Sequence, residues 1–216
     1  MIAGTGNEKN TSSVGQKIRR IGVFGGTFSP PHLGHVHAAE AFLCAVKPDR
    51  LLVIPDALPP HKELDGGATA EDRFAMAKLA FSGLPDTEVS DMELRRGGVS
   101  YTSDTLSALA SGDTKLYLLC GTDMFLTFDA WHLPQVIFDL ATVCCVRREQ
   151  NEDEREIQEK KREYERKYKA EMLLIDAPVF EISSSELRGK LQSGEDVSAL
   201  LPAGVEQYIR NKGLYT

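Results

Sequence analysis

Short apolar runs alternate along the chain with longer segments whose apolar residues recur at helical spacing. The runs typical of buried strands are IGVFGG from residue 21, LLVIP at 51–55, KLYLLCG at 115–121 and ATVCCVRR at 141–148. Because such runs are apolar on both faces, they indicate a parallel sheet that helices cover on both sides. The pattern therefore predicts an α/β protein with a Rossmann-like, doubly wound parallel sheet.

The segments between these runs predict the remaining elements. Helices are expected over residues 33–46, 71–82, 103–111, 122–128, 132–139, 184–194 and about 205–212. A charge-rich, exposed helix is expected within 151–169, with Ile157, Tyr164 and Tyr168 as its sparse apolar anchors. Further strands are expected at TEVSDMEL (87–94), MLLID (172–176) and VFEI (179–182).

Length and composition limit the organisation and the class of the protein. The first 17 residues are rich in Gly, Ser, Thr and Asn and are expected to be a flexible extension, with one domain over 18–216. A net charge of −7 argues against a dedicated nucleic-acid-binding protein, although a small basic pocket can sit on an acidic surface. No signal-peptide pattern is present, and no apolar run approaches the roughly 18 residues of a membrane span. A cytoplasmic protein without a membrane partner is expected, with buried, reduced thiols at Cys120, Cys144 and Cys145.

The segment GGTFSPPHLGH, at 25–35, directly follows the first strand and opens the first helix. An open α/β sheet places its ligand crevice at such a turn. Gly25 and Gly26 lack a Cβ, so backbone N–H groups can approach an anion closely, and the helix N-terminus adds partial positive charge. His32 and His35 share one face of the first helical turn, an arrangement suited to a phosphate that gains charge in a transition state.

Other interpretations of this segment have less support from the sequence. The P-loop and GxGxxG patterns are absent. A lone HxxH is more often a pair of surface histidines, and it could also be half of a metal site, but no further ligand at a recognisable spacing is nearby. The Gly-Gly-Thr turn at the end of a buried strand favours phosphate binding instead. No role is assigned to His37.

The same segment resembles the GGTFDPxHxGH signature of nucleotidylyltransferases with the HxGH motif. Four further blocks follow in order. They are IPDALPPHK (54–62), ELRRGGVSYTSDTL (93–106), LCGTDMFLTFDAW (119–131) and ISSSELR (182–188). The first three resemble those of bacterial nicotinate-nucleotide adenylyltransferases, and the fourth resembles the ISSTxIR motif of the superfamily. The resemblance covers residues 21–216, with Ser29 in place of the usual Asp and Ser185 in place of the usual Thr.

This resemblance implies a Rossmann-like fold of the HxGH nucleotidyltransferase type and transfer of AMP from ATP to nicotinate mononucleotide. The products would be deamido-NAD, for NAD biosynthesis, and pyrophosphate, with Mg²⁺ accompanying ATP. The implied catalytic residues are His32, His35 and Arg188. The implied ATP-binding residues are Gly25, Gly26, Thr27, Phe28, Gly121, Asp123, Ser183 and Ser184. Nicotinate mononucleotide would be bound by Lys62, near phosphate, and by Thr102 and Trp131.

Several of these residues also have plain structural interpretations. Arg147 ends a predicted strand on the ligand side of the sheet, so an ATP contact and a solvated strand end are both open. Ser183 on its own would be a helix N-cap, and Lys62 a solvated loop residue. A lone Trp131 would be expected in the core, but its polar neighbours favour a partly exposed ring that stacks on a heterocycle.

The proposed chemistry needs no general base, because the attacking group is already an anionic phosphate. Catalysis then comes from positioning and from charge stabilisation during in-line attack, without a covalent enzyme intermediate and without a metal held by protein side chains. The expected partners are ATP and nicotinate mononucleotide, and a homo-oligomer is left open. Two alternatives are adenylyl transfer to phosphopantetheine, disfavoured by the SYTSDTL and PPHK blocks, and a non-catalytic nucleotide-binding regulator, disfavoured by the intact histidines.

Overall fold

The computed structural model describes residues 18–59, 67–147, 154–177, 180 and 182–216. Within these residues six strands form one sheet: β1 (Arg19–Gly26), β2 (Arg50–Pro55), β3 (Thr87–Val89), β4 (Thr114–Gly121), β5 (Ala141–Arg147) and β6 (Met172–Asp176). Their order is β3-β2-β1-β4-β5-β6, and every neighbouring pair is parallel. The expected doubly wound α/β fold is confirmed, and its strand order reverses between β1 and β4.

The helices follow the predicted alternation closely. They are α1 (Leu33–Val46), α2 (Ala70–Phe81), α3 (Met92–Arg96), α4 (Thr102–Leu109), α5 (Thr122–Leu126), α6 (Pro134–Leu140), α7 (Glu154–Tyr168), α8 (Ser184–Ser193) and α9 (Ala203–Lys212). A 3-10 turn, Phe128–Ala130, lies between α5 and α6. None of the helices in the described ranges is both long and apolar enough to cross a membrane.

Two strand predictions are wrong in part. Of TEVSDMEL, only Thr87–Val89 is a strand, and the residues after it enter α3. The ion pair of Arg95 with Asp91, at 2.9 Å and four residues apart, belongs to a helical turn, which local alternation does not reveal. In VFEI, Phe180 and Ile182 lie in no strand, while residues 179 and 181 fall outside the described part of the chain. The ring of Phe180 packs edge-on against His37 of α1, at 5.2 Å.

Side chains of the central strands alternate between two buried layers. In β4, Leu119 joins the layer that packs under α1, α2, α8 and α9, and Leu118 joins the layer under α4 to α7. In β5, Cys144 and Cys145 divide in the same way. Cys120, Cys144 and Cys145 are buried free thiols, as predicted. Both faces of the sheet are therefore covered, which is why the strands are apolar on both sides.

Gly22 allows α1 to pack directly on β1. A Cβ at this position would lie 2.6 Å from Cε1 of Phe42, closer than any real side-chain carbon. The neighbouring ring therefore occupies the space that any larger residue would need. This contact holds α1 against the strand whose carboxyl end carries the glycine-rich turn.

Candidate active site

The two histidines of the motif are organised by the first turn of α1. His32 is the N-cap of the helix and is buried, and its backbone N–H donates a hydrogen bond to Nδ1 of His35 at 3.2 Å. Their ring centroids lie 3.8 Å apart. Because Nδ1 of His35 accepts a hydrogen bond, the neutral ring carries its proton on Nε2. Nε2 is therefore the donor nitrogen of this ring.

Phe28 supports His35 from the protein interior. Its ring is 2 % exposed, and it packs edge-on against His35 at 5.2 Å and against Phe24 at 5.4 Å. The backbone of Phe28 has a φ of 49°, which turns the ring inward. Phe28 does not line the pocket at the carboxyl ends of β1, β2 and β4, and its contact with the nucleotide stays a prediction. Gly34 is equally constrained, since a Cβ there would lie 3.0 Å from Nδ1 of His32.

The N-terminus of α8 docks on the turn that precedes α1. The Ser184 hydroxyl donates to the carbonyl oxygen of Pro30 at 3.0 Å, and the Arg188 guanidinium donates to that of Ser29 at 2.9 Å. Ser183 caps α8, because its hydroxyl oxygen accepts from the backbone N–H of Glu186 at 3.1 Å. Two helix N-termini, each with partial positive charge, therefore meet at one turn.

Ser29, which stands where the resembled family usually has Asp, bonds to the last turn of the chain. Its hydroxyl and the phenol of Tyr215 share a hydrogen bond of 3.0 Å, and both side chains are buried. Burial raises the pKa of Tyr215. The hydroxyl pair thus satisfies a buried polar position without placing a charge there. Sequence reasoning did not connect these two residues.

A pocket of about 210 Å³ opens at the carboxyl ends of β1, β2 and β4. It brings together Gly25, Gly26 and Thr27 of the glycine turn with Thr102 and Trp131 from the other half of the fold. A Cβ on Gly25 would meet no atom within 4 Å. The space beside Gly25 is therefore open, and a nucleotide contact there stays a prediction.

Trp131 forms part of the pocket wall and is half-buried. Its ring packs on Phe128, with centroids 4.7 Å apart, and its indole N–H donates to Oγ1 of Thr127 at 3.3 Å. Next to it, His132 stacks on Tyr101 at 4.2 Å. The indole therefore has a supported face and a face toward the pocket, which is the partly exposed ring expected for Trp131.

A buried ion pair missed by sequence reasoning holds the glycine turn in place. Arg73 is 0 % exposed, and its guanidinium donates to Oδ1 of Asp56 at 2.7 Å and to the carbonyl oxygen of Thr27 at 2.8 Å. The Thr27 hydroxyl donates to the other oxygen of Asp56, also at 2.7 Å. The one sequence feature that indicated a polar site here is the position of Asp56 directly after β2, at the ligand edge of the sheet. Helical spacing predicts a helix over 71–82 but does not identify a partner for Arg73.

Glu93 is a second functional candidate that sequence reasoning did not single out. Its buried carboxylate lines the pocket and accepts a hydrogen bond from the Thr105 hydroxyl. Burial raises the pKa of Glu93, against the opposing effect of that hydrogen bond. The contact joins α3 to α4, the helix that begins with Thr102.

Three other expected ligand residues, Gly121, Asp123 and Arg147, are not among the residues that line this pocket. Gly121 ends β4, next to the end of β1, and Asp123 is exposed in the first turn of α5. The guanidinium of Arg147 pairs with the carboxylates of Asp176 and Glu154. Lys62 lies outside the described residues. Within the described ranges, no group of three or more His, Cys, Asp or Glu side chains is arranged to hold a metal ion.

Comparison with known proteins gives consistent relatives. Residues 23–190 match the cytidylyltransferase-like family. The chain is 34 % identical over 200 residues to a probable nicotinate-nucleotide adenylyltransferase of Lachnoclostridium phytofermentans, covering 92 % of this chain and 100 % of that protein. A protein of the same printed name from a Synechococcus species is 37 % identical over 199 residues, with coverages of 91 % and 95 %.

A solved structure shares the fold at lower identity. It is the Plasmodium falciparum nicotinic acid mononucleotide adenylyltransferase complexed with NaAD, with a TM-score of 0.73 and 19 % identity. The alignment covers 91 % of this chain and 97 % of that one. At this identity the likeness supports the sheet topology and its helices.

Proposed function

The chain belongs to the nicotinate-nucleotide adenylyltransferases of the cytidylyltransferase-like family, and we propose that it transfers AMP from ATP to nicotinate mononucleotide. The products are deamido-NAD and pyrophosphate. The expected family resemblance is thereby confirmed. The reaction class is nucleotidyl transfer in NAD biosynthesis.

One observation carries the proposal for this chain. The N-termini of α1 and α8 meet at the turn of Ser29 and Pro30, beside a pocket walled by Thr102 and Trp131. The helix ends offer N–H groups and partial positive charge to phosphates. An aromatic face in the pocket offers stacking to a heterocycle. The two halves of the site thus match a triphosphate and a pyridine nucleotide.

We propose in-line attack of the mononucleotide phosphate on the α-phosphorus of ATP. His35 donates from Nε2 to the phosphate that gains charge, and His32 and Arg188 add further donors on the same side. The attacking oxygen is already anionic, so no side chain needs to remove a proton. The work of the protein is to align the two phosphates and to stabilise the charge on the leaving pyrophosphate.

The remaining assignments are proposed from the resemblance of these segments to the family motifs. Gly25, Gly26 and Thr27 contact the nucleotide at the turn, and Ser183 and Ser184 reach the outer phosphates from α8. The adenosine half lies toward Gly121 and Asp123, whereas Thr102 and Trp131 hold the nicotinate. A contact of ATP with Arg147 requires phosphate to compete with Asp176 and Glu154. The phosphate contact of Lys62 remains a prediction from sequence.

Mg²⁺ is proposed to enter with ATP, held mainly by the triphosphate, because this ion is commonly bound by substrate phosphates and few protein ligands. Cytoplasmic location fits the buried free thiols of Cys120, Cys144 and Cys145. Sedimentation tests whether the chain forms a homo-oligomer.

Pyrophosphate release from ATP and Mg²⁺ tests the function directly, with nicotinate mononucleotide and nicotinamide mononucleotide assayed in parallel. Strong turnover with the acid is the expected result. Equal turnover with the amide would keep adenylyl transfer and make the enzyme dual-specific. Absence of turnover with both substrates contradicts the proposal, and phosphopantetheine is then the next acceptor to assay.

A further inference from the structure

Asp129 receives donors from three residues of α7. Its carboxylate accepts hydrogen bonds from the ammonium of Lys160 at 2.6 Å, the ammonium of Lys167 at 3.0 Å and the phenol of Tyr168 at 2.9 Å. The Asp129 side chain is 29 % exposed and that of Lys160 is 23 % exposed. Partial burial and two charged donors distinguish this contact from an isolated surface ion pair, which contributes little.

The charge on Asp129 is maintained by these contacts. Burial alone would raise its pKa, but the hydrogen bonds from Lys160, Lys167 and Tyr168 outweigh burial and lower the pKa to about 2. The carboxylate is therefore ionised under all conditions in which an enzyme of this kind is assayed. A permanent charge between two cations makes the link between α7 and the 3-10 turn persistent.

The turn that carries Asp129 ends directly at Trp131. The backbone N–H of Ala130 donates to the carbonyl oxygen of Thr127 at 2.9 Å. The backbone N–H of Trp131 donates to the carbonyl oxygen of Phe128 at 3.1 Å. The indole N–H closes the same turn on Thr127. Any displacement of Asp129 is therefore passed to the backbone of Trp131 within two residues.

The opposite side of the turn is anchored in the same helix. Phe128 is fully buried, and its ring packs on Tyr164 of α7 at 6.4 Å as well as on Trp131. Lys160, which donates to Asp129, also lies over the ring of Tyr164 at 5.0 Å. The turn is thus held to α7 by an apolar contact beneath it and a charged contact beside it.

From this geometry we propose that Asp129 is a positioning residue for Trp131, and that α7 is the element that sets the orientation of the indole toward the pyridine nucleotide. The proposal rests on the proposed function for the identity of that nucleotide. Asp129 does not touch the substrate. It acts through the 3-10 turn, and its loss allows the indole to leave the stacking orientation.

The experiment uses Asp129→Asn, which removes the charged acceptor, and Lys160→Met, which removes the shortest of its three donors and leaves the other two in place. Trp131 is the only tryptophan of the chain, so its fluorescence reports on this position alone. In both variants we expect acrylamide quenching of Trp131 to increase. We also expect KM for nicotinate mononucleotide to rise about fivefold, with KM for ATP unchanged within about twofold.

Lys161→Met is the matched control. Lys161 neighbours Lys160 on α7 and pairs with Glu165 of the same helix, so the charge change is identical but the 3-10 turn is untouched. This variant should keep wild-type quenching and wild-type KM. Lys160→Arg, which retains the charge, should restore both readouts.

The possible results separate the two proposals. If Asp129→Asn and Lys160→Met keep wild-type quenching, or if quenching increases while KM for nicotinate mononucleotide stays constant, the positioning role is wrong. If Asp129→Asn does not fold, Lys160→Met decides alone. If the wild type releases no pyrophosphate, the proposed function fails, whereas the quenching data still decide whether α7 orients Trp131.

Discussion

A single backbone hydrogen bond sets the tautomer of the neutral His35 ring. The N–H of His32 donates to Nδ1 of His35, which leaves Nε2 with the proton. Phe28 packs against the ring and restricts its rotation. If His35 donates to phosphate as proposed, its ring is oriented before the substrate binds, as charge stabilisation in a transition state requires.

Replacing His35 by Ala tests this arrangement. We expect kcat for pyrophosphate release to fall at least about tenfold, since loss of one donor to a developing charge commonly costs roughly 2.7–4 kcal/mol. Thermal unfolding should change little, because the ring is only half-buried. His37→Ala is the control: it removes an imidazole from the same helix, away from the motif, and should leave kcat unchanged. An active His35→Ala enzyme would contradict the mechanism.

Among the elements, α8 follows a residue, Ser183, that caps the helix and is also proposed to contact phosphate. Ser183 caps the helix through the backbone N–H of Glu186, and its exposed hydroxyl is also proposed to contact phosphate. The side chains of Ser184 and Arg188 hold the helix to the turn before α1. The orientation of α8 and the position of its phosphate donors are therefore set together.

Ser183→Ala and Ser183→Gly separate capping from ligand binding. Ala at an N-cap typically destabilises a protein by about 1 kcal/mol, whereas Gly costs only a few tenths. We expect denaturant unfolding to show that difference. Both variants lack the hydroxyl, so KM for ATP should rise in both by a similar factor. If only the Ala variant loses affinity for ATP, the hydroxyl acts as a cap and not as a ligand.

At the scale of the whole molecule, Asp129 and Glu93 make the stability of the fold depend on pH in opposite directions. The pKa of Asp129 is lowered from 3.8 to about 2, while burial raises the pKa of Glu93 above 4.5. A lowered folded-state pKa adds stability at pH values above the unfolded value, and that stability is lost as the pH falls. A carboxyl group with a raised pKa destabilises the folded state at neutral pH. This destabilisation disappears when the group is protonated at low pH.

The free energy of unfolding of Asp129→Asn should therefore be lower than that of the wild type at pH 6. This difference should shrink as the pH falls from about 4 toward 2, where Asp129 becomes protonated. Urea unfolding at pH 6 and pH 3 measures it. For Glu93→Gln the change in the free energy of unfolding should have the opposite sign: the neutral side chain should stabilise the protein at pH 6. That gain should disappear on acidification. A pH-independent difference for Asp129→Asn would contradict the lowered pKa.

Local patterns accounted for most elements because strands and helices are set by apolar periodicity and by end signals. The cap at Ser183 and the end of α8 before Gly194 lie where these signals place them. The strand predicted over TEVSDMEL is wrong after Val89, because α3 is too short for its helical period to be recognised. The inward turn of Phe28 also required tertiary structure, because its positive φ is not encoded by residue type.

The sequence by itself determined the parallel α/β sheet, the position of the ligand turn and the order of the family motifs, because each depends on residues close together in the chain. Tertiary structure alone decided which distant side chains complete the site. Arg73 reaches Thr27 across 46 positions, Lys160 reaches Asp129 across 31, and Tyr215 reaches Ser29 across 186. Such pairs arise from how helices pack on the sheet, and hydrophobic periodicity specifies the buried face of a helix but not the partner of its polar side chains.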